Sequence, residues 1–235
     1  MTANPAFCEF LYKQLDTLHL FTYPFDPRVL PRNGVYFFYE EGELRDHQSG
    51  RFRIVRVGSH SGSGNLGSRM NQHFLLKNEE KKMKFADGPA PHHRSVFRSH
   101  IGRAFLNING DPYLPIWRAD FTKIIEREKR GHLRDIAKER ELETTITKIL
   151  RQRFSFRVID TGNCDARVRL DLEEALIGSF ARYHLYQPSE TWLGRHSPDV
   201  KIRQSGLWNI KHVCAAPPTA EQINLVISAL EKSAS

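Results

Sequence analysis

The segments GVYFFYE (residues 34–40), RIVRVGSH (53–60) and LGSRMNQHF (66–74) decide the reading of this chain. The first two are short runs rich in Val, Ile, Phe and Tyr, bounded by Gly and charged residues, and such runs form strands. The third has helical spacing, so the order is strand, polar hairpin loop, strand, helix. Side chains alternate along a strand, which turns Val35, Phe37 and Tyr39 one way and Tyr36 and Phe38 the other. In the second strand the same parity sets Val55 and Val57 against Ile54 and Arg56. If pairing brings the Tyr36 and Arg56 faces together, a phenol and a guanidinium project from one side of a hairpin. Arg69 and His73, four residues apart, share a face of the following helix.

These residues resemble the opening of a GIY-YIG nuclease domain: Gly34-Val35-Tyr36, then Arg56-Val57-Gly58, then a helical Arg69 with His73 four positions on. The resemblance implies an α/β fold built on a small three-stranded sheet flanked by helices. It further implies a tyrosine from each motif, a helical arginine, and a later glutamate that holds one divalent metal. The R-x-x-x-H spacing is most similar to the restriction-endonuclease-like members. One departure is plain, because the tyrosine expected at the start of the second motif is Arg56. A guanidinium can polarise a phosphate but cannot act as a phenolic base.

The glutamate is reached by two routes. Over residues 166–186, Val168, Leu172, Ala175, Leu176, Ser179, Phe180 and Tyr183 form an apolar stripe when residues are set about 100° apart. Glu174 falls opposite that stripe, toward water, whereas Glu173 falls at its edge and can border a cleft while the helix stays docked. The segment Leu172-Glu173-Glu174-Ala175-Leu176-Ile177 also resembles the metal-binding segment of the family, with Glu173 as the ligand and Mg²⁺ or Mn²⁺ as the cofactor. The expected catalytic set is therefore Tyr36, Arg56, Arg69, His73 and Glu173.

Two other chemistries are weighed and set aside. Gly62, Gly64 and Gly67 spell G-x-G-x-x-G between strand and helix, but a dinucleotide site also needs a second parallel strand ending in an acid about 20 residues on. The chain has the charged run KNEEKKMKF there. His92, His93 and His100 suggest zinc, yet Cys8, Cys164 and Cys214 lack ligand spacing to join them.

The 235 residues are 40% hydrophobic, with a formal net charge of +8 that suits an anionic partner. No apolar run approaches a membrane span, so the expectation is a cytoplasmic protein acting on double-stranded DNA, with a homodimer left open. Residues 1–33 read as an amphipathic helix and a proline-rich connector. Residues 34–186 read as the nuclease core, with a helical insertion at about 112–152 broken near Gly131. Residues 187–235 read as a C-terminal extension of loop, short strands and a final helix. Basic side chains expected at nucleic acid are Arg94, Arg98 and Arg103, from a short helix starting at Ser95, and Arg195, Arg203 and Lys211, from the extension. The function expected is metal-dependent endonuclease, with a nucleic-acid-binding module that kept the fold and lost hydrolysis as the alternative.

Overall fold

The computed structural model describes residues 5–46, 48–77, 79–86 and 88–233. Its centre is an antiparallel sheet in the order β1-β4-β2-β3, formed by β1 (Phe21–Thr22), β2 (Gly34–Asp46), β3 (Arg51–Gly58) and β4 (Phe154–Asp160). Residues 34–40 of β2 are buried throughout, because the strand is paired on both edges and covered on both faces. That double burial is why GVYFFYE alternates two aromatic sets instead of aromatic and polar residues.

Helices cover both faces. On the side of Val35, Phe37, Tyr39 and Ile159 lie α1 (Pro5–Thr17), α8 (Ala166–Ala181) and α10 (Ala220–Ser233), contributing Leu11, Leu15, Leu172, Leu176, Phe180, Val226 and Leu230. On the side of Tyr36, Phe38, Phe156 and Val158 lie α2 (Leu66–Phe74), α4 (Val96–Ile108) and α7 (Ile136–Arg153), contributing Met70, Phe74, Phe97, Ile101, Ile146 and Leu150. Between these run the short helices α3 (Glu79–Met83), α5 (Leu114–Trp117), α6 (Ile124–Arg130) and α9 (Val200–Ser205). Among the described residues no helix is long and apolar enough to cross a membrane.

Several expectations are corrected. The sheet has four strands, not three, because the proline-rich connector adds β1 against β4, with Phe21 stacked on Phe156 at 5.1 Å. A two-residue strand is too short to show alternation. The β2–β3 ribbon runs on to Asp46 and Arg51, since its polar end is carried by the buried Glu43–Arg53 pair rather than by apolar residues. Residues 187–218 hold a short 3₁₀ turn and α9 but no strand among the described residues. A third side of this extension is backbone that docks along β3: Trp208 N–H donates to Val55 C=O at 2.7 Å. The helical stretch breaks at Gly131 as expected, and α7 packs in the Tyr36-side core.

Candidate active site

Strand parity alone would keep Ile54 and Arg56 on one face, and the structure separates them. Phe38 pairs with Arg56 but Tyr39 pairs with Ile54, so Val55 is an extra residue and a β-bulge. Ile54 and Val57 pack in the α8-side core, Val55 in the α2-side core, and Arg56 turns to the same side as Tyr36 and Phe38, where it lies 5.1 Å over the Phe97 ring. The bulge thus aims the guanidinium at the Tyr36 face.

Tyr36 is fully buried, and its hydroxyl stands 3.1 Å from His73 Nε2. His73 Nδ1 is 2.8 Å from Ser95 Oγ, the N-cap of α4, which also accepts from Arg98 N–H. In the tautomer that carries its proton on Nδ1, Ser95 Oγ accepts from the ring and Nε2 is the acceptor for the Tyr36 hydroxyl. Burial, then the charges of Arg69, Arg56 and Arg98, push the His73 imidazole well below its ordinary range and keep it neutral. Gly58 sits opposite Tyr36, and a Cβ there would clash with the hydroxyl end of the phenol, so glycine leaves that ring its place.

In front of this buried relay lies an open trough. One cavity of about 320 Å³ is lined by Arg56, Arg69, His100, Glu173, Asn209 and Lys211 among others. A second, of about 380 Å³, shares Arg69 and Glu173 and continues past Ser59, His60 and Ser68. Glu173 comes from α8, whose apolar stripe packs on the face opposite Tyr36, but its carboxylate reaches round the end of β3, where the Ser59 hydroxyl donates to it. Glu174 is half-exposed and 3.1 Å from His212 Nδ1. Burial lowers Arg56, and Arg69 adds to that, while the Tyr36 oxygen and Glu173 favour the charge. Arg56 donates to the Trp208 carbonyl, and its Nε has no partner among the described residues. Arg69 Nη1 donates to Gln72 Oε1 at 2.8 Å and to the Arg94 carbonyl at 3.1 Å.

The family model for the GIY-YIG domain matches residues 11–233. The chain belongs to the GIY-YIG family. Membership implies a nuclease, a hydrolase of phosphodiester bonds. No curated protein and no solved structure matches the chain.

Within this GIY-YIG domain, Arg56, Arg69 and Glu173 come together at the trough, and Tyr36 with His73 stand directly behind its wall. Of the basic residues expected at nucleic acid, Lys211 lines the trough and exposed Arg94 stands beside it. Arg98 is corrected: it is fully buried, donating to Glu143 Oε2 at 2.8 Å and to the His73 carbonyl at 2.9 Å, so it holds the core together and cannot touch a ligand. Arg103 is half-buried against Asp199 at 3.2 Å. Arg195 and Arg203 are exposed but donate to loop carbonyls of Ser189 and Ser197.

Sequence reasoning missed Ser59, Ser95 and the firm assignment of Asn209. Asn209 Oδ1 accepts from Val57 N–H at 3.2 Å and its Nδ2 donates to Val57 C=O at 2.9 Å, so one side chain closes the free edge of β3 beside the trough. Only the serine before a helical run was a readable signal, as an N-cap for α4. The glycine-rich loop at 61–67 is tied by polar bonds: Arg169, buried, donates to the carbonyls of His60 and Gly62, and Asn33 accepts from Gly64 N–H at 2.8 Å.

Proposed function

We propose that the chain is a divalent-metal-dependent DNA endonuclease, acting at the trough where Glu173, Arg69 and Arg56 meet. What supports this best is a single carboxylate bordering two guanidinium groups, with a tyrosine–histidine–serine relay immediately behind. Among the described residues no three His, Cys, Asp or Glu converge on one point. A lone carboxylate still fits Mg²⁺ or Mn²⁺, because such ions keep most of their waters and bind through one or two carboxylates plus substrate phosphate. Glu173 would hold the ion, which when bound supplies charge stabilisation at the phosphate and the leaving oxygen.

The chain's own residues carry the remaining work. Arg69, anchored by Gln72 and the Arg94 carbonyl, presents its planar fork to the scissile phosphate. Arg56, in the trough wall, stabilises by its charge a phosphate oxygen in the trough. The Tyr36 oxygen takes a proton from the attacking water as His73 Nε2 takes the phenolic proton. Burial is the first cause that keeps His73 a weak base and the charges of Arg69, Arg56 and Arg98 add to it; an anionic phosphate against Arg69 and Arg56 would offset only their part. Ser59 positions the Glu173 carboxylate and Asn209 the strand edge carrying Arg56.

The non-cleaving binding module stays as a second reading because Tyr36 is wholly buried and Arg56 replaces the second motif tyrosine. Supercoiled plasmid incubated with purified protein, with and without Mg²⁺, decides between them. Nicked or linear product only with metal supports the endonuclease. Tight, salt-sensitive binding without product supports the module.

A further inference from the structure

Beyond Ser68 and Gln72 the trough opens into a third cavity of about 450 Å³, within the range of about 300–1,000 Å³ that holds small ligands. Its wall is apolar, from Leu75, Phe85 and Pro89, and its rim is cationic, from Lys81, Lys82 and Arg94. Phe85 is buried and held in place by Arg140, which lies 5.7 Å over its ring and donates to its carbonyl at 2.6 Å. The cations stand without carboxylate partners among the described residues, because the two acids of α3 are engaged elsewhere, Glu79 with Arg151 at 2.8 Å and Glu80 with Lys84. Lys82 donates to Asn71 Oδ1 at 3.1 Å, and burial with the charges of Arg94 and Arg98 lowers it, so an anion placed beside it would relieve like-charge repulsion. Arg94 links the cavity to the site, since its carbonyl accepts from Arg69.

A flat apolar group bearing a phosphate matches a cavity with one apolar wall and a cationic rim. We propose that this cavity is a subsite for one unstacked nucleotide of the strand being cut, with its base against Phe85 and Pro89 and its phosphate between Lys82 and Arg94. The inference rests on the nuclease reading of the neighbouring trough. A base stacked inside an intact duplex cannot enter a walled cavity, so the subsite gives the protein a preference for forks, gaps or distorted pairs over continuous duplex. Base stacking on an aromatic side chain is sequence-tolerant, so the preference is for structure and not for a particular base.

The test uses the full chain carrying Glu173→Gln to prevent cutting, with two oligonucleotides of equal length, one fully paired and one with a single-stranded arm containing 2-aminopurine. The forked substrate should bind about tenfold more tightly, and 2-aminopurine fluorescence should change as its base leaves the arm for the cavity. Adding Lys82→Ala should remove most of that tenfold advantage while leaving duplex affinity within about twofold. Phe85→Leu, which keeps the wall apolar, should abolish the fluorescence change while the variant remains folded with a lowered thermal midpoint and keeps its duplex affinity. Equal losses on both substrates would reduce the rim to general electrostatic attraction and overturn the subsite, as would equal affinity of the parent chain for both. Failure to bind either nucleic acid would overturn the nuclease reading along with it, whereas metal-dependent plasmid nicking without fork preference would overturn the subsite alone.

Discussion

Glu173 and Glu174 are neighbours with the same charge, and their surroundings assign them different work. Glu173 borders both trough cavities and accepts from Ser59, whereas Glu174 meets His212 at the half-exposed surface. Glu173→Gln keeps volume and helix propensity but removes the metal-ligating charge, so cleavage should fall by at least about a hundredfold. DNA affinity should persist or rise, because one negative charge facing phosphate is gone. Glu174→Gln should cut normally, and plasmid assays on both variants check the pair; equal activity of the Glu173 variant and the parent chain would sink the mechanism. Gly58 supplies a second test at this scale. Its missing Cβ is the space that the Tyr36 ring occupies, so Gly58→Ala forces the phenol away from His73. A displacement of about 1 Å at a reacting group can cost about a hundredfold in rate. Gly58→Ala should therefore lose most cleavage while far-ultraviolet circular dichroism stays native, and normal rates would remove Tyr36 from the reaction.

At the scale of elements, the site is held by β3 and by what covers its free edge. Asn209 supplies both a donor and an acceptor to Val57, and without it a buried N–H and C=O would be left unpaired. Each such group costs about 1–3 kcal/mol, so Asn209→Ala should destabilise the fold by that order in urea unfolding and lower cleavage by loosening Arg56. A change under about 0.5 kcal/mol would mean that water replaces the side chain without penalty. The same edge explains what the sequence could and could not reveal. Hydrophobic alternation in GVYFFYE and the stripe of α8 placed Tyr36 and Glu173, because burial and periodicity are local properties. The bulge at Val55 was hidden, since it depends on which residue of β2 stands opposite, and parity counting assumes none is extra. Arg98 read as a surface cation because its partner, Glu143, lies 45 residues away on α7. The docking of Trp208 and Asn209 on β3 spans 152 residues or more, through bonds that leave no periodic trace in a loop.

Across the whole molecule the two layers over the sheet differ in chemistry. The α1, α8 and α10 layer is largely apolar, while the Tyr36-side layer contains buried charge: Arg98, Glu143 and His92 in one cluster, and Glu40 beneath Trp192 and Trp208 in another. These two acids make stability respond to pH with opposite signs. Burial would raise Glu143, but Arg98 and His92 outweigh it and hold the carboxyl down at about 2. Its contribution is complete above the ordinary glutamate range and is lost as pH falls through about 2. Glu40 is raised to about 7, chiefly by burial, which the two indole N–H donors at 3.1 and 3.3 Å offset only in part. Between its ordinary value near 4.5 and about 7 the folded chain holds a proton that the unfolded chain has released, so stability declines as pH rises through that window. Glu40→Gln keeps an acceptor for both indoles and removes the ionisation. The variant should match the parent near pH 5 and exceed it by up to about 3 kcal/mol at pH 8, since each pH unit separating the two values is worth about 1.4 kcal/mol. Urea unfolding of both proteins at the two pH values reads the difference directly. Parallel stability curves would show that Glu40 stays charged in the fold, and that the two tryptophans dock the C-terminal extension onto an anion instead of a protonated acid.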